Sequence, residues 1–332
     1  MDYSLGFIAC GLVTLLLLVI SFLCAIKCRI RKFANGLYWI HGYSQRINAT
    51  YTMNKYQIPI MLFRIATYWL RSYPSIYIIG EMKCGTTALN EYLNQHQLIK
   101  SSKQFVKEPH FFEGRSIFRD NFEDCPWLYK SFFDWSWNNS PYQIDSTPQK
   151  LYSHWILKKI KQFNPNAKII ICVREPISRA ISNYVMLVNR KKETREINNL
   201  LQNQLAVKPI QNTSESISIC IQGNDFIFPL LDFPYLLRGK YINGIKVCDK
   251  LFGKNMYIMK QESLLKDPKS VIDDICKFLG IPPLESIKII EKNKGNKDNI
   301  PLDLTDEIKV GLKLYFSESN AELYEKYGIS FD

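Results

Sequence analysis

The residues best suited to chemistry stand in the stretch GEMKCGTT, residues 80 to 87, which joins an apolar, β-branched run to a helix-like segment. Gly80 ends the run, Gly85 permits a close backbone approach, and Thr86 and Thr87 open the helix. The first amide groups of a helix have no partner within the helix and carry the positive end of its dipole, so they bind anions. The stretch therefore predicts a phosphate-binding loop.

The lysine of this loop stands in an unusual place. Lys83 lies two residues before Gly85, whereas the loop that binds nucleoside triphosphates has its lysine directly after the second glycine. That lysine reaches the β- and γ-phosphates, so its displacement argues against ATP or GTP as the ligand. A P-loop kinase stays an alternative, as does an ordinary tight connection between strand and helix.

A second group of candidate residues lies in IIICVREPISRAISNY, residues 169 to 184. Arg174 follows a predicted buried strand, and an arginine at the carboxyl end of a strand faces the crevice where α/β sheets bind ligands. Its guanidinium can bind a phosphate through two parallel hydrogen bonds, and Ser182 can add a hydroxyl donor. Pro176 is well suited to begin the intervening helix. The alternative is an ion pair between Arg174 and a nearby carboxylate such as Glu175.

A third group lies in VKEPHFFEG, residues 106 to 114. Glu108 and His110 point to one face of an extended chain, and either could accept a proton from a substrate hydroxyl. The neighbouring Phe111 and Phe112 would bury the surroundings and raise the basicity of a carboxylate. The plainer alternative is an edge segment with incidental charges.

The elements that must position these groups follow an alternating pattern from Ser75 onward. Continuous apolar runs between helical patterns predict an α/β fold with a parallel sheet covered on both faces. The predicted strands are Ile76–Ile79, Tyr142–Asp145, Lys168–Val173 and Met256–Lys260, with a short strand near Phe105. The predicted helices are Thr86–Gln95, Lys150–Phe163, Ser178–Arg190, Tyr235–Phe252, Val271–Leu279, Thr305–Phe316 and Glu318–Tyr327, with helical stretches around Met61–Leu70. Residues 191 to 233 are polar and less regular, which indicates an insertion or a substrate-side region.

The N-terminal segment Leu5–Ile26 contains no charged residue among its 22. As a helix it would span roughly 33 Å, enough to cross a bilayer core. A cleaved signal peptide would have a shorter apolar region preceded by positive charge, so a retained transmembrane anchor is predicted. The expected organisation is a short tail over residues 1–4, the anchor over 5–26, a stem over 27–73 and a catalytic domain over 74–332.

Charge and cysteine content narrow the partners. The 332-residue chain has a formal charge of +12, which favours anionic partners. Basic residues directly after the anchor favour a cytosolic body, whereas three Asn-X-Ser/Thr triplets favour a lumenal one. The basic residues are Lys27, Arg29, Arg31 and Lys32, and the triplets begin at Asn48, Asn138 and Asn212. The nine cysteines include no C-x-x-C pair, so no metal site is predicted.

The three stretches, in this order, resemble the sulfotransferases that use 3′-phosphoadenosine 5′-phosphosulfate, and specifically their membrane-bound carbohydrate branch. The resemblance covers about Ser75 to Tyr327 and implies a P-loop-like three-layer sandwich around the parallel sheet, with one N-terminal transmembrane helix. It implies that the loop binds the donor's 5′-phosphosulfate, that Arg174 and Ser182 bind the 3′-phosphate, and that Glu108 is the catalytic base with His110 as its rival. The donor-binding residues of the loop are Lys83, Cys84, Gly85, Thr86 and Thr87.

The resemblance extends to the stretch EKNKGNKDNIP, residues 291 to 301, which is similar to the family's basic loop over the donor. Lys292, Lys294 and Gly295 are its candidate donor contacts. Lys83 would stabilise charge on the bridging oxygen as adenosine 3′,5′-bisphosphate leaves. The resemblance implies that this reaction needs no metal.

The chain also departs from the heparan sulfate enzymes of the family. Their E-K-[ST] element is replaced here by QIDSTPQKLY, with Asp145-Ser146-Thr147-Pro148 and no lysine in that position. This stretch is more similar to the corresponding sequence of N-acetylgalactosamine 4-sulfate 6-O-sulfotransferase, which implies an acidic glycan acceptor such as chondroitin or dermatan sulfate. A heparan sulfate-type O-sulfotransferase and a membrane-anchored, glycan-binding pseudoenzyme are the alternatives.

The resemblance further implies a location and a set of partners. Its members with one N-terminal anchor are single-pass Golgi glycoproteins of type II orientation with a lumenal catalytic domain. Nucleic acid is not an expected partner. The acceptor hydroxyl, the oligomeric state, the disulfide pairing and the occupancy of the glycosylation triplets stay open at this point.

Overall fold

The computed structural model describes residues 57–101, 108–109, 111, 129–135, 142–148, 150–151, 153–206, 234–290 and 300–331. These residues belong to two compact units. The first includes the described residues 57–71 and 129–132, and the second the described residues from Ser72 onward apart from 129–132. Predictions that concern the anchor Leu5–Ile26, the three glycosylation triplets or the strand near Phe105 lie outside the described residues.

The first unit contains helix α1, Gln57–Ala66, followed by a short 3-10 turn over Tyr68–Leu70. The helix therefore begins earlier than the predicted stretch 61–70 and ends at Ala66. Arg64 is buried, and its Nε donates a hydrogen bond to the carbonyl oxygen of Ser131 at 2.6 Å. Of the helices that the structure describes, none combines the length and apolar character that crossing a bilayer requires.

The second unit is built on a parallel sheet, to which the described residues contribute five strands in the order β2-β3-β1-β4-β5. The strands are β1 Ile76–Gly80, β2 Ile99–Ser101, β3 Tyr142–Asp145, β4 Lys168–Val173 and β5 Met256–Lys260. The four strands predicted from apolar runs are confirmed. The three-residue β2 was not predicted, because it is too short to form such a run.

The central strands explain why the sheet is parallel. Every residue of β1 is buried, as are the last five of β4, so both faces of these strands are covered. Alternate side chains of a strand point to opposite faces, and a strand that is apolar at every position needs helices on both sides. The central parallel sheet with surrounding helices is confirmed on these residues.

The helices of the second unit mostly agree with their predicted positions. They are α2 Thr86–Leu93, α3 His154–Phe163, α4 Pro176–Asn189, α5 Ile197–Ala206, α6 Ile242–Phe252, α7 Gln261–Lys266, α8 Pro268–Leu279 and α9 Asp306–Tyr327. A 3-10 turn, Leu237–Gly239, precedes α6 where a continuous helix from Tyr235 was predicted. The helix predicted from Ser178 begins at Pro176, which fits proline's preference for the first helical turn.

Helix α5 corrects the prediction that residues 191 to 233 are irregular throughout. Ile197, Leu200 and Leu201 follow helical spacing and are buried in one cluster with residues of α4 and α9. Asparagine and glutamine at five of the other seven positions of α5 hid this pattern. The remainder of the region, residues 207–233, lies outside the described residues.

Helix α9 is continuous, whereas two helices separated at Ser317 were predicted. The Ser317 hydroxyl donates a hydrogen bond to the carbonyl oxygen of Leu314 at 2.8 Å. Serine within a helix can satisfy its hydroxyl on the preceding turn in this way. The polar residue therefore does not end the helix.

The strand order sets the position of the site. β1 pairs with β3 on one side and with β4 on the other, so the chain changes direction across the sheet at β1. Ligands of open α/β sheets bind at such a switch point, beyond the carboxyl ends of the strands. Residues 81–85, 146–148 and 174–175 follow β1, β3 and β4 at this edge.

Candidate active site

The loop after β1 has a backbone that only a few residue types adopt readily. Gly80 and Gly85 have φ of 140° and 83°, and Lys83 has φ of 73° between them. A left-handed conformation at a residue other than glycine is uncommon and is a frequent feature of binding loops. A Cβ atom at Gly80 would lie 2.4 Å from the carbonyl oxygen of Cys172 on β4. Glycine at this position is therefore what lets the loop begin beside β4.

The loop delivers the chain into α2 with Gly85 as the residue before the first helical turn. Glycine has no side chain that could cap the amides of Thr86 and Thr87. At α4 the arrangement is different, because the Glu175 carboxylate accepts hydrogen bonds from the amides of Ile177 at 2.9 Å and Ser178 at 2.6 Å. The two helix starts therefore have different roles, since α4 is capped by its own chain and α2 is suited to an external anion.

Two of the predicted site residues meet in the structure. Arg174 Nη1 donates a hydrogen bond to the carbonyl oxygen of Lys83 at 3.3 Å. Burial lowers the pKa of Lys83, and the positive charges of Arg174 and Arg190 lower it further. An anion bound among these cations would relieve their repulsion and stabilise the charged ammonium. The arrangement is suited to an anion.

Arg190 was not predicted as a site residue. It follows the last residue of α4, where an arginine is also expected from the helix dipole. The sequence held no separate signal for a role in the site, because an arginine is common at the end of a helix. Ser182 itself is half-buried in the second turn of α4.

A buried charge cluster lies beneath the loop. Arg238 Nη1 donates to Glu81 Oε2 at 3.2 Å, and their side chains are 5% and 1% exposed. Burial raises the pKa of Glu81, an effect that the charges of Arg238 and Arg179 partly offset. Arg179 is fully buried and donates through Nη2 to the carbonyl oxygen of Tyr235. Sequence reasoning missed this cluster, because the three residues are separated by up to 157 positions.

Cys84 has a structural place in the loop. Its side chain is fully buried, and burial raises the pKa of its thiol to about 12. The thiol therefore stays neutral under physiological conditions and cannot act as a thiolate nucleophile. Cys84 was predicted to contact the donor, but its buried side chain leaves only its backbone for such a contact. Cys172 is buried as well.

The segment after β3 contains a buried ion pair with several local hydrogen bonds. Lys150 Nζ donates to Asp145 Oδ1 at 2.9 Å and to the carbonyl oxygen of Thr147 at 3.0 Å. The amide and hydroxyl of Thr147 also donate to Asp145 Oδ1, at 2.8 and 2.6 Å. Both charged side chains are at most 1% exposed. Lys150 is therefore buried and does not take the place of the lysine in the E-K-[ST] element.

The candidate bases are only partly within the described residues. Glu108 is half-buried, and Pro109 and Phe111 beside it are buried, as expected for an aromatic segment next to a carboxylate. His110, Lys292, Lys294 and Gly295 lie outside the described residues. Among the residues that are described, no group of three or more histidine, cysteine or acidic side chains could hold a metal ion.

Comparisons with known proteins agree with this geometry. A family model described as "Sulfotransferase domain" matches residues 74–308. Mouse heparan sulfate glucosamine 3-O-sulfotransferase 5 is 26% identical over 217 residues, which cover 63% of this chain and 54% of that protein. Human carbohydrate sulfotransferase 15 is 23% identical over 261 residues, covering 65% of this chain and 45% of that protein. The chain thus spans about half the length of these curated relatives.

A solved structure supports the fold. The crystal structure of a sulfotransferase from Alicyclobacillus acidocaldarius superposes with a TM-score of 0.56 at 22% identity, covering 78% of this chain and 98% of that one. The family match covers more than half of the chain and includes the loop after β1, Arg174 and Ser182. The chain belongs to the sulfotransferase domain family.

Proposed function

We propose that this protein transfers a sulfuryl group from 3′-phosphoadenosine 5′-phosphosulfate to a hydroxyl group of an acidic glycan. The observation that carries the proposal is the meeting of Lys83 and Arg174 at the carboxyl ends of β1 and β4. Arg174 donates to the Lys83 carbonyl. Burial lowers the pKa of Lys83, and the charge of Arg174 lowers it further. A donor with phosphate groups at two positions of its ribose fits two adjacent cationic elements.

The residues present fit the two ends of the donor. Lys83, Gly85 and the amides of Thr86 and Thr87 would hold the 5′-phosphosulfate at the start of α2. Arg174 and Ser182 would hold the 3′-phosphate. Lys83 would also stabilise the charge that develops on the bridging oxygen, which is a preorganised electrostatic contribution to catalysis.

The reaction is an in-line displacement at sulfur. The acceptor hydroxyl oxygen forms a bond to sulfur, the bond between sulfur and the bridging oxygen breaks, and adenosine 3′,5′-bisphosphate leaves. A base takes the hydroxyl proton. We assign this role to Glu108, which is half-buried, and keep His110 as the rival.

The proposed acceptor is a glycosaminoglycan such as chondroitin or dermatan sulfate. The basic chain and the exposed Arg190, Lys191 and Lys192 after α4 would attract its acidic groups. The buried Lys150 leaves the segment after β3 without the lysine of heparan-type enzymes. The names of the relatives favour the second candidate, a heparan sulfate-type O-sulfotransferase.

We also propose a Golgi location, with Leu5–Ile26 as the membrane anchor and a lumenal catalytic domain. Lumenal exposure would bring Asn48, Asn138 and Asn212 to the glycosylation machinery. Endoglycosidase treatment of the full chain from animal cells tests this: loss of apparent mass supports the orientation, and an unchanged band with a protease-accessible body on intact membranes contradicts it.

Transfer of labelled sulfate tests the activity. The full chain is incubated with labelled donor and separate chondroitin, dermatan and heparan acceptors. Lys83→Ala and Glu108→Gln should each abolish transfer, whereas Lys254→Ala, in the turn before β5 at the opposite edge of the sheet, should not. Glycan binding with no transfer to any acceptor would identify the pseudoenzyme instead, and full activity of either site variant would remove that residue from the mechanism.

A further inference from the structure

One short segment contacts both halves of the proposed donor site. We call Arg238–Tyr241, which directly precedes α6, the bridging segment. Its contacts reach the loop after β1 through Glu81 and Cys84 and the turn after β4 through Arg174 and Pro176. No side chain that we assign to donor binding takes part in these contacts. At Arg174 only the backbone carbonyl is involved.

Tyr241 makes the most direct connection. Its hydroxyl donates a hydrogen bond to the carbonyl oxygen of Arg174 at 2.9 Å and lies 3.7 Å from Cys84 Sγ. The side chain is fully buried, so the hydroxyl is held in this position by packing. A single phenol oxygen thus touches the residue next to Lys83 and the backbone of Arg174.

The rest of the bridging segment reinforces the same connection. Arg238 Nη1 donates to Glu81 Oε2 at 3.2 Å and so holds the beginning of the loop. Gly239 lies against the turn after β4, because a Cβ atom there would be 2.9 Å from Pro176 Cβ. The same atom would be 2.7 Å from the ring of Phe316 on α9, so the segment cannot move away without unpacking that helix.

We infer that Tyr241 is a positioning residue that fixes the separation between the 5′-phosphosulfate site and the 3′-phosphate site. The inference rests on the proposed function, because it assumes that Lys83 and Arg174 bind opposite ends of one donor. Two sites held at the correct separation bind a bivalent ligand more tightly than either site binds alone. Loosening the connection therefore weakens ligands that span both sites and leaves ligands of one site little changed.

The test compares ligands with one phosphate and with two. Tyr241→Phe removes only the hydroxyl, and calorimetry measures Kd for adenosine 3′,5′-bisphosphate, adenosine 5′-monophosphate and adenosine 3′-monophosphate. Loss of one buried neutral hydrogen bond should raise the Kd for the bisphosphate by about 3- to 10-fold. The two monophosphates should change by less than about 2-fold, since each needs only one site.

A matched control is available in Tyr184. It is also buried, and its hydroxyl donates to a backbone carbonyl, that of Arg195 at 2.7 Å, rather than to the loop after β1 or the turn after β4. Tyr184→Phe should leave all three Kd values unchanged. Glu81→Gln, which weakens the second connection to the loop, should give the same selective loss and decides the matter if Tyr241→Phe does not fold.

The outcomes separate the two proposals. Equal weakening of all three ligands by Tyr241→Phe, or no weakening of the bisphosphate, would overturn the positioning role while leaving the donor assignment intact. Failure of the unsubstituted protein to bind the bisphosphate would overturn the donor assignment itself. Selective loss for the bisphosphate supports the inference.

Discussion

Arg174 Nη1 donates a hydrogen bond to the carbonyl oxygen of Lys83 at 3.3 Å, across 91 positions of the chain. This contact joins the loop after β1 to the turn after β4 at the edge of the sheet where the two strands end side by side. Burial lowers the pKa of Lys83, and the nearby charge of Arg174 lowers it further. Like charges near one another cost stability, so the proximity of these two cations is consistent with the proposal that each binds one anionic group of the same donor.

The first prediction concerns the geometry of the Arg174 guanidinium. Lysine in its place keeps the charge, but a single ammonium cannot both donate to the Lys83 carbonyl and bind a phosphate through two parallel bonds. Arg174→Lys should weaken the binding of adenosine 3′,5′-bisphosphate by about 10- to 100-fold, which is the range for lost hydrogen bonds to a charged group. Calorimetry measures this, and the KM for the glycan should stay nearly constant. Unchanged bisphosphate affinity would contradict the role of Arg174.

The second prediction concerns the pH dependence of donor binding. Burial and the neighbouring arginines lower the pKa of Lys83, so its ammonium loses its proton at a lower pH than that of an ordinary lysine. A neutral amine attracts the phosphosulfate less, and bisphosphate affinity should therefore fall on the alkaline side, beginning below the ordinary lysine pKa of about 10.4. Binding measured between pH 7 and 10 shows the slope. Lys83→Arg should remove it, and an equal slope in that variant would assign the titration to another group.

The third prediction concerns Gly80, where β1 meets β4. Its φ of 140° and the 2.4 Å approach of the Cys172 carbonyl oxygen to a Cβ atom both oppose any side chain. Gly80→Ala should lower the free energy of unfolding by about 3 kcal/mol or more, since the clash is with backbone that cannot rotate away. Denaturant unfolding measures this.

Gly280→Ala is the matched control for Gly80. Gly280 also has a positive φ, 73°, but a Cβ atom there meets nothing within 4 Å. Its substitution should cost only the conformational penalty, about 1 kcal/mol. Equal costs at both positions would show that the close approach to Cys172 does not matter.

Much of the fold follows from local patterns. The strands β1, β3, β4 and β5 are uniformly apolar or alternate clearly, and each was predicted within one residue of its bounds. The short β2 and the polar helix α5 were not, because their stability depends on neighbours that are distant in sequence. Leu200 and Leu201 of α5 become informative only once α9 is beside them.

The residues of the site also fall into those that the sequence predicted and those that it did not. Lys83, Arg174 and Ser182 were predicted because strand ends and helix starts place them by local rules. Arg238, Tyr241 and Glu81 were missed because their roles come from contacts over long separations, up to 157 positions between Tyr241 and Cys84. A buried tyrosine or ion pair in a sequence has no signal that distinguishes core packing from support of a binding loop.

The last prediction concerns the buried ion pair of Asp145 and Lys150. Both side chains are at most 1% exposed, and the carboxylate also accepts two hydrogen bonds from Thr147. Lys150→Met leaves an uncompensated charge in the interior and should lower the free energy of unfolding by about 3 to 5 kcal/mol at neutral pH. Lys269→Met, which breaks an exposed pair with Asp273 on α8, should cost less than about 1 kcal/mol. Denaturant unfolding measures both losses, and a loss at Lys150 that is equally small would contradict the buried pair.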